Sequence, residues 1–311
     1  MSSEKLAPVC LFAFNRPQHT LSVIETLKAS PLAKETEVYV FIDGPRSGDE
    51  RALVDEVAGL FSDLQGFAKV HLSRREANAG LATSIIEGVS HVVETHGRVI
   101  VLEDDIVTSP AFLSYMNKAL QRYETDANVW HISAYCEPYS KEDTQRGLSF
   151  LRFMSCWGWA TWANRWSHFE KNPEELISSF SDEEIFRFNL DGAADLWVQV
   201  LDNARGEINT WAIFWYATIF RNRGLCLSPH ESYAENIGLD GSGVHCGEDL
   251  NRPERALNTD GSPHFPDIIA EDGTALERLR AYKDPKLTKT QKLAREWRRL
   301  RGQARRLFGA A

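Results

Sequence analysis

The chain has 311 residues, of which 43% are apolar and 11% aromatic, so it can bury a substantial core and is not a disordered chain. Its formal net charge of −9 at pH 7 argues against a nucleic-acid-binding body, because that function needs clustered positive charge. Five cysteines without a CxxC pair predict reduced thiols in a cytoplasmic protein, with neither a disulfide framework nor a zinc site.

The first half of the chain alternates short apolar runs with stretches of helical spacing. The pattern predicts strands at residues 7–14, 37–42, 68–72 and 98–106, with helices at 17–27, 49–64 and 81–96 between them. This alternation predicts an α/β fold with a mostly parallel, doubly wound sheet. The second half contributes a helix at 112–123, a strand at 129–133 and helix-rich additions from 173 to 222.

Three consecutive acids stand where the fourth predicted strand ends. The apolar residues 99–102 lead directly into Glu103, Asp104 and Asp105. Open α/β sheets bind ligands at the carboxyl ends of their strands, and adjacent carboxylates raise each other's pKa unless a cation is present. Hard oxygen ligands suit Mg²⁺ or Mn²⁺, shared with a substrate phosphate. The alternative is an acidic strand end that caps the following helix, since a Ser-Pro pair comes next.

Polar residues also follow the first two strands, at the same edge of the sheet. Asn15 and Arg16 come after the first strand, and Asp43 comes after the second. Arginine can pair with a phosphate, and a carboxylate can bind a ribose or a base. No GxGxxG follows the first strand and no GxxxxGK[ST] is present, which argues against an NAD enzyme and a P-loop protein. Asn78 and Gly80 either let the backbone approach a ligand or form a simple turn before a helix.

Two later segments carry rings that can face a ligand. Trp157, Gly158 and Trp159 either stack on sugar rings or bases, or pack in the core. The glycine between the rings favours a ligand-facing position for at least one of them. His245 lies in a polar, glycine-rich loop, where an imidazole is either structural or an additional ligand of a metal or phosphate.

The carboxyl-terminal segment 280–311 differs from the body in charge. Residues 286–307 hold nine Lys and Arg against one acid, so the rest of the chain is strongly acidic. The apolar residues of this segment fall on one helical stripe: Leu293, Trp297, Leu300, Ala304, Leu307 and Phe308. A basic amphipathic helix predicts binding to an anionic membrane surface, whereas the alternatives are a helix docked on the acidic body and an RNA-binding arm. No run in the chain approaches the ~18 apolar residues of a membrane-spanning helix.

Together these motifs resemble those of GT-A-fold glycosyltransferases. The resemblance is to N-acetylglucosaminyltransferase I and to related, family 2-like bacterial sugar transferases, and it runs from about residue 8 to about residue 246. It rests on these segments: residues 101–106, 110–113, 129–134, 157–159 and 236–245.

The resemblance implies a nucleotide-sugar donor, with a UDP-sugar favoured, and Mn²⁺ or Mg²⁺ as cofactor. It implies that Asp105 binds the metal, joined by His245. The residues expected on the nucleotide-sugar side are Phe14, Asn15, Arg16, Asp43, Asn78, Gly80, Glu103 and Asp104. Those expected on the acceptor side are Trp157, Gly158, Trp159 and Trp211.

The catalytic base is the point at which the chain departs from this pattern. Relatives with a Trp-Asp pair at a helix start use the aspartate to deprotonate the acceptor hydroxyl, whereas Trp211 is followed here by Ala212. Because alanine accepts no proton, Asp195 and Asp240 are the candidates to replace it. The sequence does not choose between them.

We therefore expect one GT-A-like domain over residues 1–275, with a nucleotide-sugar-binding half at 1–125 and an acceptor half at 126–275, followed by a basic tail at 280–311. The expected reaction is metal-dependent transfer of a hexose or N-acetylhexosamine to a hydroxyl of a glycan or lipid-linked saccharide, in polysaccharide biosynthesis. The enzyme is expected to be cytoplasmic and peripheral at the inner face of the plasma membrane, with no nucleic-acid partner.

Two alternative functions stay open from the sequence. The first is a sugar nucleotidyltransferase, which is disfavoured because no glycine-rich phosphate loop follows the first strand. The second is a non-catalytic, membrane-recruited glycan-binding module. Ala212 favours this second alternative, and the intact acids at 103–105 disfavour it.

Overall fold

A computed structural model describes residues 5–137, 147–241 and 256–284. The strands are β1 (Val9–Ala13), β2 (Glu37–Ile42), β3 (Lys69–Arg74), β4 (Arg98–Glu103), β5 (Ile106–Thr108), β6 (Val129–Ser133), β7 (Leu148–Leu151), β8 (Trp159–Trp162), β9 (Leu225–Pro229) and β10 (Ala234–Asn236). The helices are α1 (Pro17–Lys28), α2 (Arg51–Gly59), α3 (Leu81–His96), α4 (Phe112–Arg122), α5 (Ala163–Trp166), α6 (Pro173–Ser179), α7 (Asp182–Phe188), α8 (Trp197–Ala204), α9 (Ala212–Arg221) and α10 (Gly273–Lys283). Short 3₁₀ turns at Ala33–Glu35 and Gly48–Glu50 precede β2 and α2.

Eight of these strands form one central sheet in the order β3-β2-β1-β4-β8-β6-β9-β7. β3, β2, β1 and β4 are parallel neighbours, and β6 is parallel to β9. β8 runs antiparallel between β4 and β6, and β7 is antiparallel to β9. β5 and β10 pair in a separate two-stranded sheet. The predicted class is confirmed: a mostly parallel, doubly wound α/β sheet with helical additions in the second half.

The central strands are buried on both faces, and alternate residues of β1 belong to different halves of the core. Val9 and Leu11 pack with side chains of α1, α2 and α4 on one face. Cys10 and Phe12 pack with side chains of α3 and α9 on the other. Continuous apolar strands are typical of parallel sheets that are covered on both sides. For this reason apolar runs, rather than alternating patterns, located these strands in the sequence.

Helix α10 packs on the body of the protein. Its residues Leu276 and Leu279 lie in one buried cluster with Leu190 and a leucine of β7. The predicted boundary between body and tail, at 275–280, therefore falls inside a helix that belongs to the body. The basic amphipathic segment from residue 286 onward lies outside the described residues. None of the helices in the described ranges is both long and apolar enough to cross a membrane.

Tryptophans from β8 and from the helices of the second half form a buried aromatic cluster. The ring of Trp159 on β8 stacks on that of Trp211, with centroids 5.2 Å apart. The rings of Trp166 and Trp215 lie 5.0 Å apart in the same cluster. Paired aromatic rings add to the free energy gained by burial. The cluster therefore joins the helices of the second half to the antiparallel strand beside β4.

His131 of β6 lies within this aromatic cluster as a neutral imidazole. Trp215 Nε1–H donates to His131 Nδ1 at 3.1 Å, and His131 Nε2–H donates to the carbonyl of Ser155 at 3.1 Å. Burial lowers the pKa of His131 to about 3, although the bond to the Ser155 carbonyl acts in the opposite direction.

We expect His131 to make the protein sensitive to acid. An unfolded histidine binds a proton near pH 6.5, whereas folded His131 does so only near pH 3, so its contribution to stability is lost as the pH falls between these values. The gap in unfolding free energy between wild type and His131→Gln should shrink by up to about 1.4 kcal/mol per pH unit below pH 6.5. Urea unfolding at pH 7 and pH 4.5 measures this gap, and an unchanged gap would contradict the assignment.

Candidate active site

The carboxyl ends of β1, β2 and β4 bring the predicted polar residues together. In the register of the sheet, Phe12 of β1 pairs with Glu103 of β4, and Ala13 of β1 pairs with Ile42 of β2. The segments that follow these strands therefore lie side by side at one edge of the sheet: residues 14–16, 43 and 104–105.

Arg16 lies at the centre of this edge and faces two carboxylates. Its Nη2 donates to Asp104 Oδ1 and lies 2.9 Å from Asp105 Oδ2. The second oxygen of Asp104 accepts a hydrogen bond of 3.1 Å from the backbone N–H of Phe14. Both oxygens of Asp104 are thus engaged, and Asp104 connects the end of β4 to the turn that begins α1.

This edge carries more negative charge than one guanidinium balances. Asp104 and Asp105 are only 4% and 6% exposed. Burial, and then the charges of Asp105 and Asp104, raise the pKa of Glu103 to about 8. Burial also raises the pKa of Asp104, against the opposing effect of Arg16. Burial disfavours the charged form of Arg16, but the two aspartates outweigh it and raise the pKa of Arg16. The site therefore favours an additional cation.

The segment after β10 lies directly on Asp105. Because β10 pairs with β5, the chain continues over the acids, and the N–H of Ile237 donates to the carbonyl of Asp105 at 2.8 Å. A Cβ on Gly238 would lie under 3.0 Å from both Asp105 Oδ2 and Arg16 Nη1, which is closer than such atoms approach. Glycine at this position is what allows the segment 236–241 to cover the Arg16–Asp105 pair.

The same segment also contacts α1. Asp240 Oδ2 lies 3.2 Å from the Nε2 of His19, which is on the first turn of α1 after Arg16. The sequence singled out Asp240, but neither His19 nor Gly238. The only sequence signals for these two residues were a histidine three positions after Arg16 and a glycine in a glycine-rich stretch, and both signals are common.

The side chains at this edge fit an anion together with a divalent cation. Arg16 Nη1 is buried and has no hydrogen-bond partner among the described residues, so it can serve an anionic ligand. The carboxylate of Asp105 is the kind of oxygen ligand that Mn²⁺ and Mg²⁺ prefer. In the ranges that the structure covers, no group of three His, Cys, Asp or Glu side chains is placed to hold a metal by itself. Mg²⁺ commonly shares its coordination between a carboxylate and substrate phosphates.

Asp43 connects the loop after β2 to the start of α3. Its Oδ1 accepts from the N–H groups of Gly44 and Ala79, each at 2.9 Å, and its Oδ2 accepts from the N–H of Gly80 at 2.8 Å. Asn78 Nδ2 donates to the carbonyl of Gly44 at 2.9 Å. Gly80 has a φ of +82°, which glycine adopts without strain. The three predicted residues Asp43, Asn78 and Gly80 thus come together, with the oxygens of Asp43 bound to backbone N–H groups.

A pair of charged residues that the sequence did not single out borders Phe14 and Asn15. Asn15 Nδ2 donates to Glu50 Oε1 at 3.1 Å, and Arg46 Nε donates to the same oxygen at 2.9 Å. The guanidinium of Arg46 lies 5.0 Å from the centre of the Phe14 ring. Arg46 and Glu50 belong to a polar loop after β2, where the sequence offered no pattern to distinguish them from solvent-exposed charges.

Two of the tryptophans predicted on the acceptor side are core residues. Trp159 is 0% exposed and Trp211 is 3% exposed, and their rings stack on each other. Neither ring offers a face to an acceptor, so the predicted acceptor contact is wrong for both residues. The physical reason is that these large rings fill the space between β8 and α9, where burial outweighs a ligand-facing position.

Trp157 and Gly158 lie beside β10, the strand that leads into the segment over Asp105. Trp157 is partly exposed, and its ring centroid lies 4.5 Å from that of Tyr135. Gly158 has a φ of +72°, and a Cβ there would lie 3.2 Å from the Cβ of Ala234. Ala234 is the first residue of β10, which leads into the segment over Asp105. Trp157 is therefore connected through Gly158 and β10 to the acidic edge.

The two candidate bases have different surroundings. Asp240 lies in the segment that covers Asp105 and contacts His19. Asp195 is exposed in the turn before α8. Ala212, in place of the aspartate of relatives, is the first residue of α9. His245, predicted as a second metal ligand, lies outside the described residues.

Comparison with known protein families decides the assignment. The profile of glycosyl transferase family 2 matches residues 9–182, which is more than half of the chain and includes all three strand ends described above. The chain belongs to glycosyl transferase family 2. The resemblance seen in the sequence is thereby confirmed, and the central sheet of this glycosyltransferase is the GT-A type that the resemblance implied. No curated protein matches the chain.

Solved glycosyltransferase structures resemble the chain at low similarity. The mannosyltransferase PcManGT from Pyrobaculum calidifontis, in complex with GDP-Man and Mn²⁺, is 12% identical with a TM-score of 0.37, over 69% of this chain and 70% of that chain. TarS from S. aureus is 13% identical with a TM-score of 0.43, over 75% of this chain and 37% of TarS. Identities and TM-scores this low do not allow the substrates of those proteins to be assigned to this chain. The family assignment therefore rests on the family profile and on the observed sheet.

We expect Gly238→Ala to lower the rate of sugar transfer at least about tenfold, because the added methyl must displace either the side chains of Asp105 and Arg16 or the segment that covers them. The measurement is the release of nucleoside diphosphate from sugar nucleotides, beside the midpoint of thermal unfolding. Gly59→Ala is the matched control, since a Cβ there meets nothing within 4 Å. Equal rates for wild type and both variants would contradict the importance of this segment.

Proposed function

We propose that this glycosyltransferase moves a sugar from a nucleotide-sugar donor, with UDP-sugars favoured, to a hydroxyl of a glycan or lipid-linked saccharide. Its membership of glycosyl transferase family 2 supports the reaction class. The observation that carries the proposal is the buried edge at which Arg16 faces Asp104 and Asp105 and keeps one guanidinium nitrogen for an anion. A diphosphate and its metal need a cationic donor and a carboxylate ligand side by side.

Asp105 is the proposed ligand of a divalent cation, Mn²⁺ or Mg²⁺, with His245 as a second proposed ligand. Bound there, such a cation stabilises the negative charge that develops on the diphosphate as it leaves. Arg16 would act on the same charge by donating from Nη1, while Asp104 holds the guanidinium in place. Asp104 thus acts on the donor through Arg16, because both of its oxygens already accept hydrogen bonds.

The nucleotide is proposed to lie along the ends of β1 and β2. Phe14 and Asn15 would face it from the first of these strands, and the loop that Asp43 connects to α3 would face it from the second. Asn78 and Gly80 belong to that second wall. Glu103 completes the nucleotide-sugar side at the end of β4.

Asp240 is the residue that we propose takes the proton of the acceptor hydroxyl, with Asp195 as the second candidate. Asp240 is favoured because its segment lies on Asp105 and because His19 Nε2, 3.2 Å from its carboxylate, fixes the orientation of that carboxylate. A base acts efficiently when it is positioned within hydrogen-bond reach of the proton that it removes. Asp195 lies in the turn before α8, on the half of the chain proposed to bind the acceptor.

The acceptor is proposed to lie against Trp157 and Gly158. Tyr135, next to Trp157, donates to Glu137 at 3.3 Å, and Glu137 pairs with Lys283 at the end of α10. These contacts connect the proposed acceptor side to the helix that precedes the basic segment. We propose that this segment holds the enzyme at an anionic cytoplasmic membrane surface, where lipid-linked acceptors are concentrated.

A non-catalytic glycan-binding module is the second candidate function. It is favoured by Ala212, which stands at the start of α9 where relatives carry the aspartate base. Such a module would bind a saccharide at Trp157 without releasing a nucleoside diphosphate from any donor.

We expect the protein to release UDP from at least one UDP-sugar when Mn²⁺ or Mg²⁺ is present. Asp105→Ala should lower that rate at least about 100-fold, because the variant lacks the proposed metal ligand. Enzyme-coupled detection of UDP and GDP across a panel of UDP- and GDP-sugars is the measurement. Asp55→Ala is the matched control, since Asp55 is an exposed residue of α2 that pairs with Arg74.

Two outcomes of this experiment would change the account. Substantial release of UDP or GDP by Asp105→Ala would show that Asp105 is not the metal ligand, but the protein would still be a glycosyltransferase. No release from any donor by the wild-type protein would make the glycan-binding module the better account.

A further inference from the structure

Arg16 Nη2 serves two carboxylates at once, and its two contacts are not equivalent. Asp104 accepts from Arg16 with one oxygen and from the Phe14 N–H with the other, and it is 4% exposed. The contact with Asp105, at 2.9 Å, is the one that engages the proposed metal ligand. The structure therefore places a guanidinium against the carboxylate to which a divalent cation would bind.

A guanidinium and a divalent cation that share one buried carboxylate repel each other, even at an edge whose total charge favours a further cation. The side chain of Asp105 is only 9% exposed, so water screens little of the interaction between charges placed there. A cation that takes Asp105 as a ligand must therefore displace the guanidinium or bind weakly beside it.

The surroundings of Arg16 allow such a displacement to be small. Asp104 can continue to accept from Nη2 if the contact with Asp105 is lost, and Pro17, the first residue of α1, restricts the backbone of Arg16 directly before it. Nη1 is buried without a hydrogen-bond partner among the described residues. A guanidinium released from Asp105 thus stays at the site, with donors free for a second anion.

We propose that Arg16 and the divalent cation compete for Asp105, and that the diphosphate of the donor relieves the competition by accepting the guanidinium. This inference rests on the proposed function and concerns the order in which that site is filled. The diphosphate brings the negative charge that two adjacent cations require, so cation and nucleotide should each strengthen the binding of the other. Arg16 would then couple metal binding to donor binding, in addition to holding the phosphates.

Mn²⁺ binding followed by electron paramagnetic resonance tests the competition without any measurement of catalysis. Full-length wild type, Arg16→Gln, Arg16→Lys and the control Arg205→Gln are titrated with Mn²⁺ alone and then with UDP or GDP present. Arg205 is a matched control because it is an exposed arginine that pairs with Glu207. Thermal unfolding confirms that each variant is folded.

Arg16→Gln should bind Mn²⁺ alone at least about tenfold more tightly than wild type, because it removes the competing charge. Arg16→Lys keeps the charge and should stay within about threefold of wild type, as should Arg205→Gln. With nucleotide present, wild type should gain Mn²⁺ affinity and Arg16→Gln should gain less. Equal or weaker binding of Mn²⁺ alone by Arg16→Gln, or equal tightening by Arg16→Lys, would overturn the proposal.

A second measurement on the wild-type protein covers the case in which Arg16→Gln does not fold. The protein is labelled with ¹³C at arginine Cζ and titrated with Mg²⁺ while its NMR spectrum is recorded. One Cζ signal should shift, and it is assigned to Arg16 because it is missing from the spectrum of Arg16→Lys. An Arg16 signal that stays unchanged at saturating Mg²⁺ would overturn the proposal. An unchanged Arg16 signal would overturn the competition and leave the proposed function standing. Failure of the proposed function would appear differently, because the wild-type protein would then bind neither Mn²⁺ nor nucleotide when both are supplied.

Discussion

The structure depends on one electrostatic constraint, which is the burial of consecutive carboxylates at the end of a central strand with a single guanidinium beside them. β4 lies between β1 and β8, so residues 103–105 follow a strand that has a neighbour on each side, and Asp104 and Asp105 are buried. Burial raises the pKa of Glu103 and of Asp104, and Arg16 supplies the nearby positive charge.

The rest of the fold supplies the rigidity that this arrangement needs. Parallel strands β1, β2 and β4 place their following loops at one edge. Asp43 bonds the loop after β2 to the start of α3 through backbone N–H groups. The antiparallel strand β8 carries Trp159 into an aromatic cluster that joins the helices of the second half to the sheet. β10 then returns beside β5 and brings Gly238 over the site. A positioned set of groups is the condition for stabilising charge on a leaving diphosphate.

The part of the site that the sequence predicted is the part determined by strand order. Arg16, Asp43 and Asp105 could be placed at one edge because the ends of neighbouring parallel strands converge whatever the side chains are. Residues set by tertiary contact were missed or misplaced. Trp159 and Trp211 looked like acceptor contacts, but a tryptophan pattern does not reveal which face of a strand or helix is buried. Gly238 and His19 matter through close approach between distant segments, which local sequence patterns do not encode.

The measurement that tests the central claim most directly is a thermal unfolding series with UDP, GDP, CDP, CMP and TDP, each with Mn²⁺, Mg²⁺ or EDTA. If the buried acids and Arg16 form a donor site, one nucleotide should raise the unfolding midpoint with metal and not with EDTA. At about 100 times its dissociation constant, that nucleotide adds about 2.7 kcal/mol to the free energy of unfolding. No shift with any nucleotide under any metal condition would contradict the account, and the acids would then be a structural strand end.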